Sequence, residues 1–209
     1  NDWIKTFGVS SDYETAIRQI KNRKTLCQDV GQIIFSENGT QTPRFFTNMA
    51  GFGFDAFVAE KANHLKEKGR TGLLVYLQSL AASYLQYQTR QMKIILDGEE
   101  VDDLIFSVSI GIGKYNGGGM MQAPGAVPDN GLFEVTIIRK IDLLGILWNL
   151  PGLFKGTFVT DRRVSVHQAR QVSLSSSQKI AGETDGELLG NHQFQVKILP
   201  QELNVIIGE

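Results

Sequence analysis

The sequence predicts an α+β fold: a mainly antiparallel, β-sandwich-like body with helices attached to it. Three observations lead there. From Gln91 onward apolar residues take alternate positions, Met92, Ile94 and Leu96 first, which is the period of a strand with one buried face. Short runs of the same kind recur at 104–110, 132–138, 164–166, 172–174, 194–198 and 203–207, with turn residues between them. Apolar residues at three-to-four spacing are confined to a few segments, so helices decorate the body rather than build it.

The elements follow in order. Asn1-Asp2-Trp3 reads as the start of a helix without an initiator Met, so the chain is expected to be a fragment or processed form of something longer. Ser11-Asp12-Tyr13-Glu14 reads as a capping box, opening a short helix with Ile17 and Ile20 as its apolar stripe. Residues 26–35 alternate loosely and read as extended, 37–43 as a polar turn, and 44–50 as a second strand. Gly51 and Gly53 punctuate the entry into a helix over 54–66. A further helix is predicted after Thr71, where Leu73, Leu74, Leu77, Leu80, Ala81, Tyr84 and Leu85 keep helical spacing. Asp97-Gly98 is a hairpin signal between a strand ending at Leu96 and a return strand near Leu104. The late helix, 141–154, carries Trp148; such a stripe either packs into a core or lies at a membrane interface.

With 209 residues the chain fits one large domain, or one domain plus a remnant of another. Its 21 basic and 22 acidic residues are interspersed and nearly cancel, which argues against a nucleic-acid groove or a polybasic membrane patch. Cys27 is the only cysteine, so an internal disulfide is impossible and a reducing, cytoplasmic compartment is the simpler reading. The first residues of the sequence do not read as a charged-then-apolar secretory leader, and the strongest apolar run is broken by Asn149 and Pro151, too short to span a bilayer.

Two stretches could carry chemistry. In the first, Tyr115-Asn116-Gly117-Gly118-Gly119-Met120 permits a tight backbone path beside a ligand, but equally a plain loop between strands. It has neither the Lys-Ser or Lys-Thr ending of a Walker loop nor the dinucleotide-binding fingerprint. The same stretch continues to Val127–Leu132, where Asp129 or Asn130 with two backbone carbonyls would make a partial magnesium site, or simply a turn feeding a strand. The second is Asp185-Gly186-Glu187, either a hairpin turn or a catalytic carboxylate loop. Asp97-Gly98-Glu99 repeats that motif and, lying between two clear strands, reads as structure. The three histidines are scattered without ligand spacing, which speaks against zinc.

Taken in order, these pieces resemble the C-terminal portion of the diacylglycerol kinase catalytic family, which includes bacterial lipid kinases and is related to sphingosine and ceramide kinases. Asn1-Asp2-Trp3 looks like the end of the family's Gly-Thr-Gly-Asn-Asp loop. Gln28-Asp29-Val30-Gly31, Asn48-Met49-Ala50-Gly51-Phe52-Gly53-Phe54-Asp55, Tyr115 to Met120, Ala123-Pro124, Asn130-Gly131-Leu132 and Asp185-Gly186-Glu187 follow in the family's sequence. The resemblance implies a C-terminal domain that closes over an N-terminal nucleotide-binding domain, with residues 1–25 a remnant or linker from the latter. It implies ATP as phosphoryl donor, a lipid hydroxyl at a membrane surface as acceptor, magnesium, no nucleic acid, and a cytoplasmic, peripherally membrane-associated protein, with a homodimer possible. Glu187 would accept the proton, with Asp185 beside it; Asn1, Asp2 and Gly186 would lie near the nucleotide. Structural magnesium would sit on Asn130 and the carbonyls of Val127 and Leu132, with Asp129 an adjacent substitute, because Asn130 stands where the family has Asp. The Gly-Gly-Asp-Gly-Thr motif of the family is not in this sequence, so the chain alone is expected to be inactive. The alternative is a non-catalytic lipid-binding or regulatory module of the same fold.

Overall fold

The computed structural model describes residues 2–37, 39–67 and 82–208. After a one-turn helix α1 (Trp3–Thr6), α2 spans Tyr13–Asn22. Its N-cap is Asp12, whose carboxylate accepts from the Thr15 amide, so the cap falls one residue later than the capping-box reading from Ser11. Ile17 and Ile20 are exposed rather than buried. Strands β1 (Thr25–Glu37) and β2 (Thr40–Phe46) form a hairpin. The segment read as a polar turn is therefore mostly strand, and Pro43 sits in it without cost to the sheet because β2 is an edge. The strand read over 44–50 breaks at Thr47-Asn48, and β3 (Met49–Gly53) starts anew before α3 (Phe54–Glu67).

Residues 68–81, where most of the expected second helix falls, lie outside the described residues; 82–86 are helical. Next come β4 (Arg90–Leu96), β5 (Glu99–Gly111), β6 (Phe133–Arg139), α4 (Leu143–Lys155), a 3-10 turn at Thr157–Thr160, β7 (Val164–Ala169) and β8 (Gln171–Ser175). The sequence reading missed β9 (Ile180–Thr184) and β10 (Glu187–His192), and divided β11 (Phe194–Ile206) in two. β9 and β10 carry glycines and charged residues at positions where a pattern of alternating apolar residues would mark a strand. β11 survives its Pro200 through a left-handed residue at Gln201 and a register shift opposite Gln28 and Val30.

The strands form one antiparallel sheet in the order β10-β9-β3-β5-β4-β8-β11-β1-β2, with β6 and β7 branching from β5. The branch arises because β5 pairs with β4 over its first half and with β3 over its second, while its other edge takes β6. The curled sheet encloses a core of Ile33, Phe46, Phe52, Ile94, Val108, Phe133 and Phe194 among others, as the α+β, sandwich-like expectation required. A bulge between Ile105 and Ser107 then turns the outer face of β5 to the helices. There Phe106 packs with Phe54, Val58 and Ile141 as a second, smaller core.

Candidate active site

Asp185 organises the site. It occupies the first position of the β9–β10 turn with φ 49°, and Gly186 follows at φ 91°, the left-handed pair of a two-residue hairpin. Its carboxylate accepts from the amides of Thr47 at 2.8 Å, Asn48 at 3.1 Å and Met49 at 2.9 Å, and from the Thr47 hydroxyl. That capture is why the strand breaks at Thr47-Asn48. Asn48 extends the contact, donating its side-chain amide to the Tyr115 carbonyl at 2.9 Å, and Trp3 joins through Gln28, which donates to the Thr47 carbonyl.

Glu183, two residues earlier on β9, is 2% exposed and pairs in register with Gly51 of β3. A side chain at Gly51 would lie 2.6 Å from the Glu183 carboxylate and 3.1 Å from Asp55, so glycine there makes room for both acids. Glu183 accepts from the Gly186 amide at 2.8 Å. Burial, with further help from Asp55 and Asp185 against that amide, pushes its pKa up to about 8, so it is mostly protonated at neutral pH. Burial likewise raises the pKa of Asp55, which accepts from the Ser109 hydroxyl at 2.7 Å and from Gln122 at 3.4 Å.

Above this pair lies the triple glycine. Gly117, Gly118 and Gly119 all have positive φ, and Asn116 and Met120 close the loop with reciprocal backbone hydrogen bonds. Asp2 accepts from the Gly118 amide at 2.6 Å and pairs with Lys5 at 2.8 Å. Burial alone would raise its pKa, but Lys5 and the glycine amides outweigh it and hold the carboxyl below its usual range. Asp2 thus holds the glycine loop while Asp185 and Gly186 form the β9–β10 turn, and Glu187 is exposed at the start of β10; Asn1 lies outside the described residues.

On the far side of Asp55 is an apolar cavity between the outer face of β5 and α4. Phe54, Phe106, Ile138, Ile146, Leu150 and Leu153 wall it, and Asp55, Ser107, Ser109 and Gln122 give it one polar end. The bulge in β5 is what turns its serines into this space.

The Val127–Leu132 loop is held by Asp29. The Asp29 carboxylate, fully buried, accepts from Gly131 at 2.7 Å and Gln201 at 2.9 Å, and its amide donates to the Pro128 carbonyl. Asn130 accepts from the Leu132 amide at 3.0 Å, so a cation bound through that oxygen would displace this hydrogen bond. Among the described residues no group of three or more His, Cys, Asp or Glu is placed to hold a metal.

Glu183 is the residue that sequence reasoning passed over, and a lone Glu in a short strand carries no local signal. The available clue was Gly51, but only the register between β3 and β9 ties it to Glu183.

The sequence matches the family described as YegS C-terminal NAD kinase beta sandwich-like domain over residues 48–207. Among its relatives, the diacylglycerol kinase of Mycobacterium tuberculosis (strain ATCC 25618 / H37Rv) is 26% identical over 99% of this chain and 65% of its own length. The diacylglycerol kinase of Bacillus subtilis (strain 168) is 23% identical over 99% of this chain and 66% of its own length. A solved diacylglycerol kinase structure from Bacillus anthracis str. Sterne superposes with a TM-score of 0.67 at 17% identity, covering 100% of this chain and 63% of that one. The chain thus spans about two thirds of the length of the relatives it matches. A family match across most of the chain shows that this chain belongs to the YegS C-terminal NAD kinase beta sandwich-like domain family.

Proposed function

We propose that this chain is the C-terminal domain of a kinase that transfers the γ-phosphoryl group of ATP to a lipid hydroxyl, acting with a nucleotide-binding domain. The observation that carries this reading is the cavity: at about 80 Å³ it is small, and its apolar walls with a polar end at Asp55, Ser107, Ser109 and Gln122 suit the hydroxyl-bearing end of an amphiphile. That polar end lies against the Glu183–Asp185 turn and, through Gln122 and Asn116, the triple glycine.

In the reaction the lipid oxygen forms a bond to the γ-phosphorus as the bond to the bridging β,γ-oxygen breaks and ADP leaves. The hydroxyl proton passes to a carboxylate, for which Glu187 is our candidate. Asp185 holds the 47–49 segment beneath the turn rather than meeting substrate, since its oxygens are already taken up by three amides. The Gly186 Cα faces open space, room for a phosphate to approach, and Asp2 shapes the glycine loop from below. Magnesium accompanying ATP would neutralise phosphate charge during transfer; a separate, structural magnesium is proposed at the 127–132 loop on Asn130 and the carbonyls of Val127 and Leu132, with Asp129 the adjacent substitute.

The test is transfer of label from γ-labelled ATP to diacylglycerol or sphingosine in mixed micelles, using the full polypeptide its gene encodes. Glu187→Gln should lower the rate on the order of a hundredfold or more while keeping nucleotide affinity. Glu99→Gln should leave it unchanged. Binding of lipid without any transfer by the intact protein would instead support the non-catalytic module.

A further inference from the structure

Helix α4 is apolar on two sides. One side, through Ile146, Leu150 and Leu153, lines the cavity. The other presents Leu144, Leu147, Trp148 and Phe154 to solvent, with Trp148 86% exposed. Their spacing of three, one and six residues, with exposed Pro151 between, keeps them on a single stripe at helical period. A helix whose inner face is already packed has no need of a second apolar face for folding, and a contiguous exposed patch of this kind marks an interaction surface.

The charges around the stripe specify the partner. Lys140, Lys155 and Arg162 are exposed at its ends. Of the nearby acids, Asp161 is the neutralised one, pairing with Arg163 at 2.7 Å and accepting from Asn149, while Asp142 caps α4 by accepting from the Gly145 amide and stays exposed, so the three cations outnumber it at the margins. Arg163 also reaches Asp142. An apolar stripe with a bulky, amphipathic tryptophan at its centre and cations at its margins matches the headgroup boundary of an anionic bilayer.

We propose that α4 is the surface by which this domain docks on an anionic membrane, its outer face seated among headgroups while its inner face walls the cavity. The proposal rests on the lipid-kinase reading for its purpose: an acceptor leaving the bilayer would pass one helix to reach the cavity. The docking itself is measurable without any catalysis.

The experiment is co-sedimentation of this chain with vesicles of phosphatidylglycerol and phosphatidylcholine in equal parts. A Trp3→Phe form leaves Trp148 as the sole fluorescent tryptophan. Binding with a blue-shifted Trp148 emission that brominated lipid quenches is the expected result. Leu147→Glu with Trp148→Glu should weaken binding at least about tenfold, and the milder Trp148→Ala should weaken it measurably, whereas Leu104→Glu, exposed on β5, should not. Lys155→Glu with Arg162→Glu should remove the preference for anionic over neutral vesicles. No vesicle binding, binding indifferent to both Trp148 variants, or a solution dimer that Trp148→Glu dissociates would each overturn the proposal. With the full polypeptide, Trp148→Glu should slow phosphorylation of vesicle lipid but not of a water-soluble short-chain acceptor. If neither acceptor is phosphorylated, the kinase reading fails while the vesicle result still decides the docking.

Discussion

Asp97 and Asp185 use their carboxylates in the same way. Each opens an Asp-Gly turn in the left-handed region, and each reaches across to backbone amides: Asp97 to Arg170 and Gln171, Asp185 to Thr47, Asn48 and Met49. What separates the two copies of Asp-Gly-Glu is their surroundings, which no local pattern records. Asp185→Ala would leave three amides without their acceptor and should destabilise the domain by about 2–4 kcal/mol in chemical denaturation. Asp97→Ala, with two amides nearer solvent, should cost less. Glu183 gives a second test at this scale. Its pKa of about 8 in the fold lies above the ordinary glutamate value, so the native state binds the extra proton. Its contribution is complete in mild acid and declines as pH rises through 8, by up to about 1.4 kcal/mol per pH unit across the window between the two values. Denaturant midpoints measured at several pH values should fall across that window in the parent and stay flatter in Glu183→Gln. An equal slope in both would show that Glu183 ionises freely.

At the scale of the element, hairpins and amphipathic helices were legible because their signals are local. Asp97-Gly98 announced its turn, and the apolar run at 141–154 announced α4, which starts two residues later, at Leu143, because Asp142 caps it, and ends at Gly156 with φ 72°. β9 and β10 were not legible, because Gly182 and Gly190 replace side chains where neighbours press close. A Cβ on Gly182 would meet the Phe194 ring at 2.5 Å, so the strand is defined by what packs over it rather than by its own residues. Gly182→Ala should therefore destabilise by roughly 1–3 kcal/mol through overpacking, read as a lowered thermal midpoint. The 127–132 loop illustrates the same dependence on distant partners. Its shape comes from Asp29, far away in sequence, while Asn130 closes a local bond to Leu132. Asn130→Asp adds a charged oxygen at the same position, and calorimetry with magnesium should find affinity raised by about tenfold or more. No heat in either form would make the loop a turn only.

Across the whole molecule, β5 divides two environments: Ile105, Val108 and Ile110 face the closed core, while Phe106, Ser107 and Ser109 face the helices. The sequence disclosed that this stretch is strand. It could not disclose the division, because the bulge that sets it arises from pairing with β6. For the same reason the acidic pair Asp55 and Glu183 emerges only once β3, β5 and β9 lie side by side. The division makes the cavity testable apart from the core. Ile146 projects into it from α4, and Thr136 from β6, where its hydroxyl also donates to the Gln122 carbonyl at 2.8 Å. Ile146→Trp adds bulk to the apolar wall and leaves both the Gln122 contact and the Asp55 end untouched. If the walls hold an acyl or sphingoid chain, that variant of the full polypeptide should lose phosphorylation of long-chain acceptors by about tenfold or more, while a short-chain acceptor with the same hydroxyl keeps its rate. Equal losses on both acceptors would point to a disturbed polar end, and no loss on either would place the lipid chain elsewhere.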